Sequence, residues 1–332
     1  MTIMDIAAEA GVSIATVSRV LNQPEKVKPK TRERVQAILK KHHYRPNAIA
    51  QGLVRNTLHT VGILSVDIRR EHFSTSAYTL ESLFFDWGYT TILCNTGNDL
   101  RKKIEYLRIL AERKVDGLVL LGSIFCHPDI EQAIARYMPH TPIILTNGQM
   151  PLPNIYSILG DNARGMEQLV EHIVHKGCKK PLLIHQDLSL NAQRKLAGFR
   201  LGMQLCNLPV EEHTIWSCGR EDETGISVID PILQTVSDFD ALICADDLMA
   251  IGIIRYLKDR GISVPKDIRV TGYGNSRQGS LSIPSLTTID SKEVEMAETA
   301  ANMLHQMIEK KESLQEHFPV FVKPELIIRE SA

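Results

Sequence analysis

The N-terminal segment contains Asp5-Ile-Ala-Ala-Glu-Ala-Gly-Val-Ser13, followed by Ala15-Thr-Val-Ser-Arg-Val-Leu-Asn22, and these residues predict its structure. Apolar residues recur at helical spacing in both parts, and Gly11 between them is typical of the residue that ends a helix. Ser13 follows and is suited to cap a second helix. Two short helices joined by a tight turn that contains glycine form a helix-turn-helix, whose second helix fits the major groove of DNA.

The residues around this unit favour the same interpretation. Thr2 and Asp5 stand at the spacing of a capping box, which predicts the start of the first helix. Pro29 is typical of a first helical position, and it predicts a third helix that buries Val35 and Ile38. The sequence therefore predicts a small all-helical module with its own core.

Charge is distributed unevenly along the chain, although the net charge is only −1. Residues 1–60 carry ten Lys and Arg against four Asp and Glu, which leaves 28 basic and 35 acidic side chains for the remaining 272 residues. A basic segment on an acidic body is typical of a module that binds a polyanion. A solvated charged face has the same composition, so charge alone leaves both interpretations open.

The composition narrows the class of protein. A chain of 332 residues with 43% hydrophobic and 23% charged residues suits a small module plus a larger globular domain. No apolar run approaches the ~18 residues of a membrane span, and the first residues do not resemble a secretory leader. The six cysteines are scattered without a CxxC pair, which argues against a disulfide framework and a structural zinc site. We therefore expect a cytoplasmic protein without a metal or other cofactor.

Beyond residue 57, apolar runs alternate with amphipathic stretches. This alternation predicts parallel, doubly wound α/β sheets, and the length suggests two lobes. The expected strands are residues 61–66, 90–94, 117–121, 143–146, 182–185, 214–216, 241–244, 269–273 and 287–289.

The N-terminal motifs resemble the lactose/galactose-repressor (LacI/GalR) family. The resemblance rests on the two quoted stretches together with Thr31-Arg-Glu-Arg-Val35 and Tyr44-Arg-Pro-Asn47. It implies an N-terminal all-α helix-turn-helix head over residues 1–46, a hinge helix or linker over 47–56, and an effector-binding and dimerisation domain over 57–332. This last domain is expected to be an α/β two-lobed, periplasmic-binding-protein-like body. Its lobes are expected at about 57–158 with 290–318, and 159–289 with 319–332, joined by three crossovers.

The resemblance assigns roles along the second helix. Ile14 and Ala15 match positions that choose bases, and they offer apolar contact only. Arg19 is the candidate for bidentate contact with guanine, a contact that discriminates between bases by about 1–3 kcal/mol. The alternative for this arginine is a surface salt bridge with Glu9 or Glu25. Phosphate contacts that set register without reading sequence are expected from Thr16, Ser18 and Asn22.

Two further features of the head follow from the resemblance. Residues 47–55 resemble the hinge helix, which is too short to be stable alone in water. Leu53 matches a leucine that enters the minor groove, and Ala50 is small enough for close approach of two hinge helices. The alternative is an ordinary linker. Lys28 departs from the family, which usually has Ser or Thr as the helix cap at this position.

Ligands of parallel sheets bind beyond the carboxyl ends of the strands. Carboxylate, amide and guanidinium groups gathered there suit a polyhydroxylated ligand. For any single residue a helix cap or a loop hydrogen bond is an equal alternative, and Asp161 and Asp247 look most like caps. The expected effector-binding residues are Asp67, Arg69, Asn95, Ser123, Asn147, Arg194, Lys195, Asp246 and Asn275.

Two positions differ from the family pattern in ways that concern the identity of the ligand. Lys195 stands where the family usually has a sugar-binding arginine, with Arg194 one residue earlier, so either cation is a candidate. Gly274 and Asn275 stand where sugar-responsive members carry aspartates, which is similar to trehalose-type regulators that sense a phosphorylated disaccharide. Arg69 and Arg70, together with the cations at 194 and 195, would neutralise a phosphate.

No motif of a hydrolase, metalloprotease or phosphate-binding loop occurs, so an enzyme is not expected. The resemblance implies a homodimeric repressor of a palindromic double-stranded DNA operator, controlled by a sugar or sugar phosphate. It would be cytoplasmic and associated with the nucleoid when bound to its operator. The alternatives are a corepressor-dependent or protein-dependent regulator of the same family, and a soluble sugar-binding protein.

Overall fold

The computed structural model describes residues 2–42, 44, 57–186, 189–219, 222, 224–310 and 318–332, with the side chains of Asn22 and Lys310 left out. The chain divides into two units, Met1–Leu58 and His59–Ala332. The expected hinge over residues 47–56 lies outside the described residues, as do its Ala50 and Leu53.

The first unit contains three helices: α1 (Ile3–Ala10), α2 (Ile14–Asn22) and α3 (Pro29–Lys41). The capping box of Thr2 and Asp5 is present, since the backbone N–H of Asp5 donates to the Thr2 hydroxyl at 3.3 Å and the Thr2 N–H donates to the Asp5 carboxylate at 2.7 Å. Gly11 ends α1 with a left-handed φ of 63°. The small core is formed by Ile6, Ala7, Ala10, Val17, Val20 and Val35.

The second unit alternates strands and helices. Its first half contains β1 (Thr60–Ser65), α4 (Glu71–Asp86), β2 (Thr90–Asn95), α5 (Leu100–Glu112), β3 (Gly117–Leu121), α6 (Pro128–Tyr137), β4 (Ile143–Thr146), β5 (Ile155–Gly160), α7 (Asn162–His175) and β6 (Pro181–Gln186). Its second half contains α8 (Leu190–Leu205), β7 (Ile215–Cys218), α9 (Ile226–Thr235), β8 (Ala241–Cys244), α10 (Asp247–Asp259), β9 (Arg269–Thr271), α11 (Arg277–Leu281), β10 (Thr288–Asp290), α12 (Glu293–Lys310), β11 (Val320–Val322) and β12 (Glu325–Ile327).

The first lobe is built on a six-stranded parallel sheet in the order β11-β5-β4-β3-β1-β2. Strands β3 and β4 are buried at every residue, because helices cover both faces of the sheet. Helix α12 packs on α4 and on the strands of this sheet. The carboxyl ends of the parallel strands therefore share one edge of the lobe, as the alternation of apolar runs predicts.

The second lobe is built on a parallel sheet in the order β7-β6-β8-β9 and a short antiparallel pair of β10 with β12. The chain passes between the lobes three times, after β5, after β10 and after β11, which agrees with the three expected crossovers. The assignment of residues 319–332 to the second lobe is wrong for Val320–Val322. This segment pairs with β5 at the edge of the first sheet.

Helices α7 and α8 of the second lobe approach each other closely at Gly198. A Cβ atom at this position would lie 2.1 Å from the carbonyl oxygen of Ala163, far inside van der Waals contact. Glycine is therefore required for the packing of these two helices. None of the helices described is long and apolar enough to cross a membrane.

Candidate functional site

Helix α2 is fixed at its start by a side-chain cap. The Ser13 hydroxyl accepts a hydrogen bond from the backbone N–H of Thr16 at 3.2 Å, and the two hydroxyls lie 2.9 Å apart. This cap satisfies one of the N–H groups that a helix leaves without a partner in its first turn. The predicted cap is confirmed, and the helix starts at Ile14 as expected.

The two faces of α2 differ in burial. Val17 and Val20 are buried in the core of the head, which fixes the rotation of the helix about its axis. Ile14, Ala15 and Arg19 are exposed, and 45% of the Ile14 surface is accessible. The side chains predicted to contact bases therefore lie on an accessible face of one rigid helix.

Arg19 is not held by Glu9. The Glu9 carboxylate instead pairs with Lys41 at 2.8 Å and with the His42 ring at 2.7 Å, and these contacts lower its pKa, with the Lys41 hydrogen bond as the main cause. Within the described part of the head, no ion pair of Arg19 is present. The alternative of a surface salt bridge is thus not observed for either glutamate.

Arg19 borders a shallow cleft of about 340 Å³ together with Lys26 and Lys28. Thr16 also lines this cleft, and both Thr16 and Ser18 are half-buried. Lys28 precedes α3 without a side-chain cap, as the departure from the family predicts. Three cations and a hydroxyl on one surface suit the phosphate backbone of a duplex.

The predicted effector residues of the first lobe lie at the carboxyl edge of its sheet. Several of them form hydrogen bonds or an ion pair with other residues of the lobe. Asp67 pairs with Arg69 at 2.6 Å, and that hydrogen bond lowers the pKa of Asp67 to about 2. The Asn95 amide oxygen accepts the N–H of Ile68 at 3.1 Å. Asn147 likewise accepts the N–H of Gly160 at 3.0 Å. Ser123 is buried at the start of a short 3-10 turn, Ser123–Phe125.

The second lobe uses its predicted carboxylates differently from expectation. Asp246, not Asp247, caps α10 by accepting the N–H of Leu248 at 2.9 Å. Asp247 is buried and accepts hydrogen bonds from the Thr288 hydroxyl at 2.5 Å and the Ser276 N–H at 2.6 Å, so its predicted role as a cap is wrong. Asp161 caps α7 through the N–H of Arg164 at 3.1 Å, as predicted.

Two further predicted residues of the second lobe have internal partners. The Asn275 amide oxygen accepts a hydrogen bond from the Arg329 guanidinium at 2.6 Å. The Lys195 ammonium donates to the Ala245 carbonyl oxygen at 2.7 Å and lies 3.6 Å from the centre of the Tyr273 ring. Burial lowers the pKa of Lys195 to about 8, against the opposing effect of nearby carboxylates that begin with Asp246. Lys195 is therefore engaged within its own lobe.

The two lobes meet at ionisable side chains that the sequence does not single out. The Glu71 carboxylate at the start of α4 accepts the backbone N–H of Arg277 at the start of α11, at 2.9 Å. Burial lowers the pKa of His72 to about 4, and the Asp246 carboxylate of the second lobe opposes this shift. Glu293 is the first residue of α12, a third helix at this junction. Burial raises the pKa of Glu293 to about 7.

Three polar atoms at the junction of the lobes are buried without a hydrogen-bond partner among the described residues. They are Glu71 Oε2 of the first lobe, and Asn191 Oδ1 and Arg194 Nη1 of α8. Arg194 lies near Cys126, since its charge lowers the pKa of this thiol, although burial raises that pKa more strongly. Arg194 therefore has donor capacity left for a ligand, and the Lys195 ammonium, which has three N–H donors and one hydrogen bond to Ala245, has some left as well.

Sequence reasoning missed Glu71 and Asn191. Both are the first or second residue of a helix that follows a strand of a parallel sheet, which is where ligand-contacting side chains gather. That positional signal was available, but it does not show which of several polar residues stays without an internal partner. Among the described residues, no group of three or more His, Cys, Asp and Glu side chains forms a metal-binding cluster.

Comparison with known proteins gives two family matches. Residues 2–47 match the bacterial regulatory proteins of the lacI family, and residues 170–332 match the periplasmic binding protein-like domain. An HTH-type transcriptional regulator of Lachnoclostridium phytofermentans is 34% identical over 87% of this chain and 88% of its own length. The HTH-type transcriptional repressor PurR of Klebsiella pneumoniae is 32% identical over 99% of this chain and 96% of its own length.

A solved structure extends the similarity to the whole fold. The lac repressor dimer bound to operator and the anti-inducer ONPF superposes with a TM-score of 0.86 at 25% identity. The match covers 100% of this chain and 98% of that chain. The predicted fold, a helix-turn-helix head plus a two-lobed periplasmic-binding-protein-like body, is confirmed.

Proposed function

The chain belongs to the LacI family of bacterial regulatory proteins, and we propose on that premise that it represses transcription by binding a palindromic operator as a homodimer. Family membership makes it a DNA-binding transcriptional regulator and not an enzyme, which confirms the prediction from sequence. Operator affinity would be controlled by a small molecule bound between the lobes. The regulator would act in the cytoplasm, associated with the nucleoid while it occupies its operator.

The observation that carries this proposal is the division of α2 into a buried face and an exposed face. Val17 and Val20 hold the helix in the head, and this leaves Ile14, Ala15 and Arg19 free to enter a major groove. The guanidinium offers a planar pair of donors to guanine, whereas the two apolar side chains suit a thymine methyl group. Lys26 and Lys28 beside it supply contacts to phosphate.

Exposed apolar side chains of both lobes support dimer formation. On the first lobe, Tyr78 and Phe85 of α4 are 74% and 70% exposed. On the second lobe, Leu281 and Ile283 at the end of α11 are 71% and 82% exposed. The contact between Glu71 and Arg277 joins the starts of these two helices, so the apolar residues belong to neighbouring elements. Burial against a second copy would remove this surface from water.

Control by a ligand follows from the two-lobed body. A ligand held between the lobes favours one angle of closure, and a closure change in each protomer moves the first lobes of a dimer relative to each other. The coupling is reciprocal, since the ligand changes operator affinity by the same factor as the operator changes ligand affinity. The lac repressor structure shows this combination in a relative, as a dimer with operator and an anti-inducer.

The proposal is tested by selecting duplexes from a random DNA library with the full-length protein at moderate salt. We expect a palindromic sequence to be enriched, with a guanine in each half-site read by Arg19. The Arg19→Met variant should lose about 1–3 kcal/mol of discrimination at that base pair and keep the preference elsewhere. Lys40→Met is the matched control, because it removes one exposed charge of the head outside α2.

Two outcomes would overturn the proposal. One is that no sequence is enriched from the library by the wild-type protein. The other is that Arg19→Met and Lys40→Met lose affinity equally for all sequences. This result would show that Arg19 of α2 contributes only its charge and does not read a base. Titrating the selected duplex with the protein, with and without ligand, shows whether the ligand weakens or strengthens operator binding. A ligand that weakens binding is an inducer, and one that strengthens it is a corepressor.

A further inference from the structure

We propose that Lys292 is a hinge residue between the two lobes, and that its left-handed backbone and its ion pair with Glu325 favour the closure seen in this structure. Rotation of Lys292 into the right-handed region would favour a different closure. The inference rests on the proposed control of operator affinity by lobe closure. It names a residue at which that closure is set.

Lys292 lies midway along the second passage of the chain between the lobes. Ile289 of β10 is buried in the core of the second lobe, and Met296 of α12 is buried in the core of the first. Because both ends of this passage are anchored, a change in the angle between the lobes is absorbed by the few residues that separate them. Hinges in proteins are residues of this kind, which change φ and ψ at the ends of helices and strands.

The backbone of Lys292 adopts a conformation that lysine does not favour. Its φ is 57°, in the left-handed region where Cβ crowds the carbonyl oxygen that follows. Among the described residues, the others except glycine with such a φ are His59, Lys114, Asn147, Asn207 and Asn275. Asparagine and histidine enter this region more readily than lysine does.

Lys114 shows what is unusual about Lys292. Lys114 follows the C-terminal end of α5, where a left-handed residue commonly ends a helix. Lys292 instead precedes α12, so the termination of a helix does not explain its φ. It is also the one residue of this set that lies where the chain passes between the lobes.

The side chain of Lys292 joins two of the three passages. Its ammonium pairs with Asp290 of β10 at 3.2 Å and with Glu325 of β12. These two acids are partners in the antiparallel ladder of β10 and β12. The Lys292 N–H donates to the Asp290 carboxylate at 2.8 Å, and the Lys292 carbonyl oxygen accepts the N–H of Met296 at 2.9 Å. These contacts form with the backbone left-handed, and they offset the unfavourable φ.

A backbone hydrogen bond connects the remaining passage. The Asp161 N–H, at the first passage, donates to the Val322 carbonyl oxygen, at the third, at 3.1 Å. The third passage is therefore tied to the first by the backbone and to the second by the Lys292 side chain. A change of φ at Lys292 moves a segment that is connected to both of the others, so it affects the angle of the whole body.

The test compares a substitution that tolerates the left-handed region with one that does not, in the full-length protein. Lys292→Asn and Lys292→Val both remove the ammonium. Asparagine enters the left-handed region readily, whereas the branched side chain of valine disfavours it. The two variants should therefore populate different closures. Their dissociation constants for the duplex selected by the wild type should differ by roughly fivefold or more.

Lys114→Asn and Lys114→Val are the matched controls, because Lys114 has a φ of 53° outside the passages. Valine should lower the melting temperature at both positions, but the two Lys114 variants should bind the duplex equally. Equal affinities of the two Lys292 variants would overturn the hinge assignment. An equally large difference between the Lys114 variants would overturn it as well.

Glu325→Gln tests the ion pair alone. It removes the charge that pairs with Lys292 and leaves residue 292 unchanged. Since the left-handed backbone then loses support, operator affinity should shift in the same direction as in Lys292→Val, by a smaller factor. No shift, or a shift in the opposite direction, would overturn the role of the ion pair.

A second measurement needs no DNA. Small-angle X-ray scattering reports lobe closure through the radius of gyration. The curves of Lys292→Asn and Lys292→Val should differ, and those of the two Lys114 variants should superimpose. Superimposable curves for the Lys292 pair would overturn the hinge assignment. The proposed function fails separately, if the wild type selects no duplex, and scattering then still tests the hinge.

Discussion

The reading helix and the cleft between the lobes use their polar side chains in opposite ways. On α2, the side chains expected to contact DNA point away from a small core and are held in place by a cap at Ser13. In the cleft, Asn147, Asn275 and Lys195 are engaged in contacts within the body. A groove reader needs a rigid helix with a free surface, whereas a ligand cleft is assembled from distant segments that need internal bonds to hold their places.

From this difference we expect the stability of the body to depend on long-range packing. The stability of the head should depend on local interactions such as helix caps. Gly198→Ala provides the strongest test, because its Cβ would lie 2.1 Å from the Ala163 carbonyl oxygen. We expect it to lower the free energy of unfolding of the body by about 3 kcal/mol. Hydrogen exchange measured segment by segment should show faster exchange in α7 and α8 and unchanged exchange in residues 3–41.

The matched control for this variant is Gly219→Ala. No described atom lies within 4 Å of a Cβ at Gly219, so this substitution should change exchange little. Equal effects of the two variants would contradict the packing argument. Faster exchange in the helices of the head would contradict the separation of the two units.

The stability of the body should depend on pH through a carboxyl group at the junction of the lobes. Burial raises the pKa of Glu293 in the folded protein to about 7, from an ordinary value of 4.5. The folded state therefore holds this proton more tightly, so the stabilisation is complete below pH 4.5 and is lost as pH rises through 7. Glu293→Gln removes this dependence. The melting temperature of the variant minus that of the wild type should rise between pH 5 and 7.5.

Glu295→Gln on the same helix is the control, since this residue is exposed. Its melting temperature should differ from the wild type by a constant amount over the same pH range. A constant difference for Glu293→Gln as well would show that its carboxyl is not buried in the folded protein.

In the head, the local interaction open to test is the cap at the start of α2. Ser13→Ala removes the hydroxyl that accepts the Thr16 N–H, and it should lower the stability of the head by about 1 kcal/mol. Operator affinity should fall with it, because α2 is less firmly positioned. Exchange in the body should remain at the wild-type rate. An unchanged stability of the head in this variant would contradict the role of the Ser13 cap.

The smallest expected effect comes from Lys28. This residue precedes α3 without capping it, so Lys28→Ser should stabilise the head by about 0.5 kcal/mol. The same change removes a cation from the cleft beside Arg19, so operator affinity should fall and its salt dependence should weaken by about one charge. A variant that gains both stability and affinity would contradict the proposed phosphate contact.

The sequence predicted the head well because its determinants are local. The capping box at Thr2, the turn at Gly11 and the cap at Ser13 each act over a few residues. In the body, nine of the twelve described strands are predicted, whereas β5, β11 and β12 are not among the expected strands. Which polar side chains remain available there depends on partners far along the chain, as for Asn275 and Arg329. For that reason the predicted cap at Asp247 is wrong, and no local pattern marks Glu71.

The three passages of the chain between the lobes have a consequence for how such a protein is inherited and engineered. The head occupies one uninterrupted stretch of the gene, so a single recombination event can exchange it and give an old sensor a new target. Neither lobe is encoded in one piece, since Val320–Val322 returns to the first sheet after most of the second lobe is complete. One recombination event can therefore exchange the head or the whole body, but it cannot exchange a single lobe.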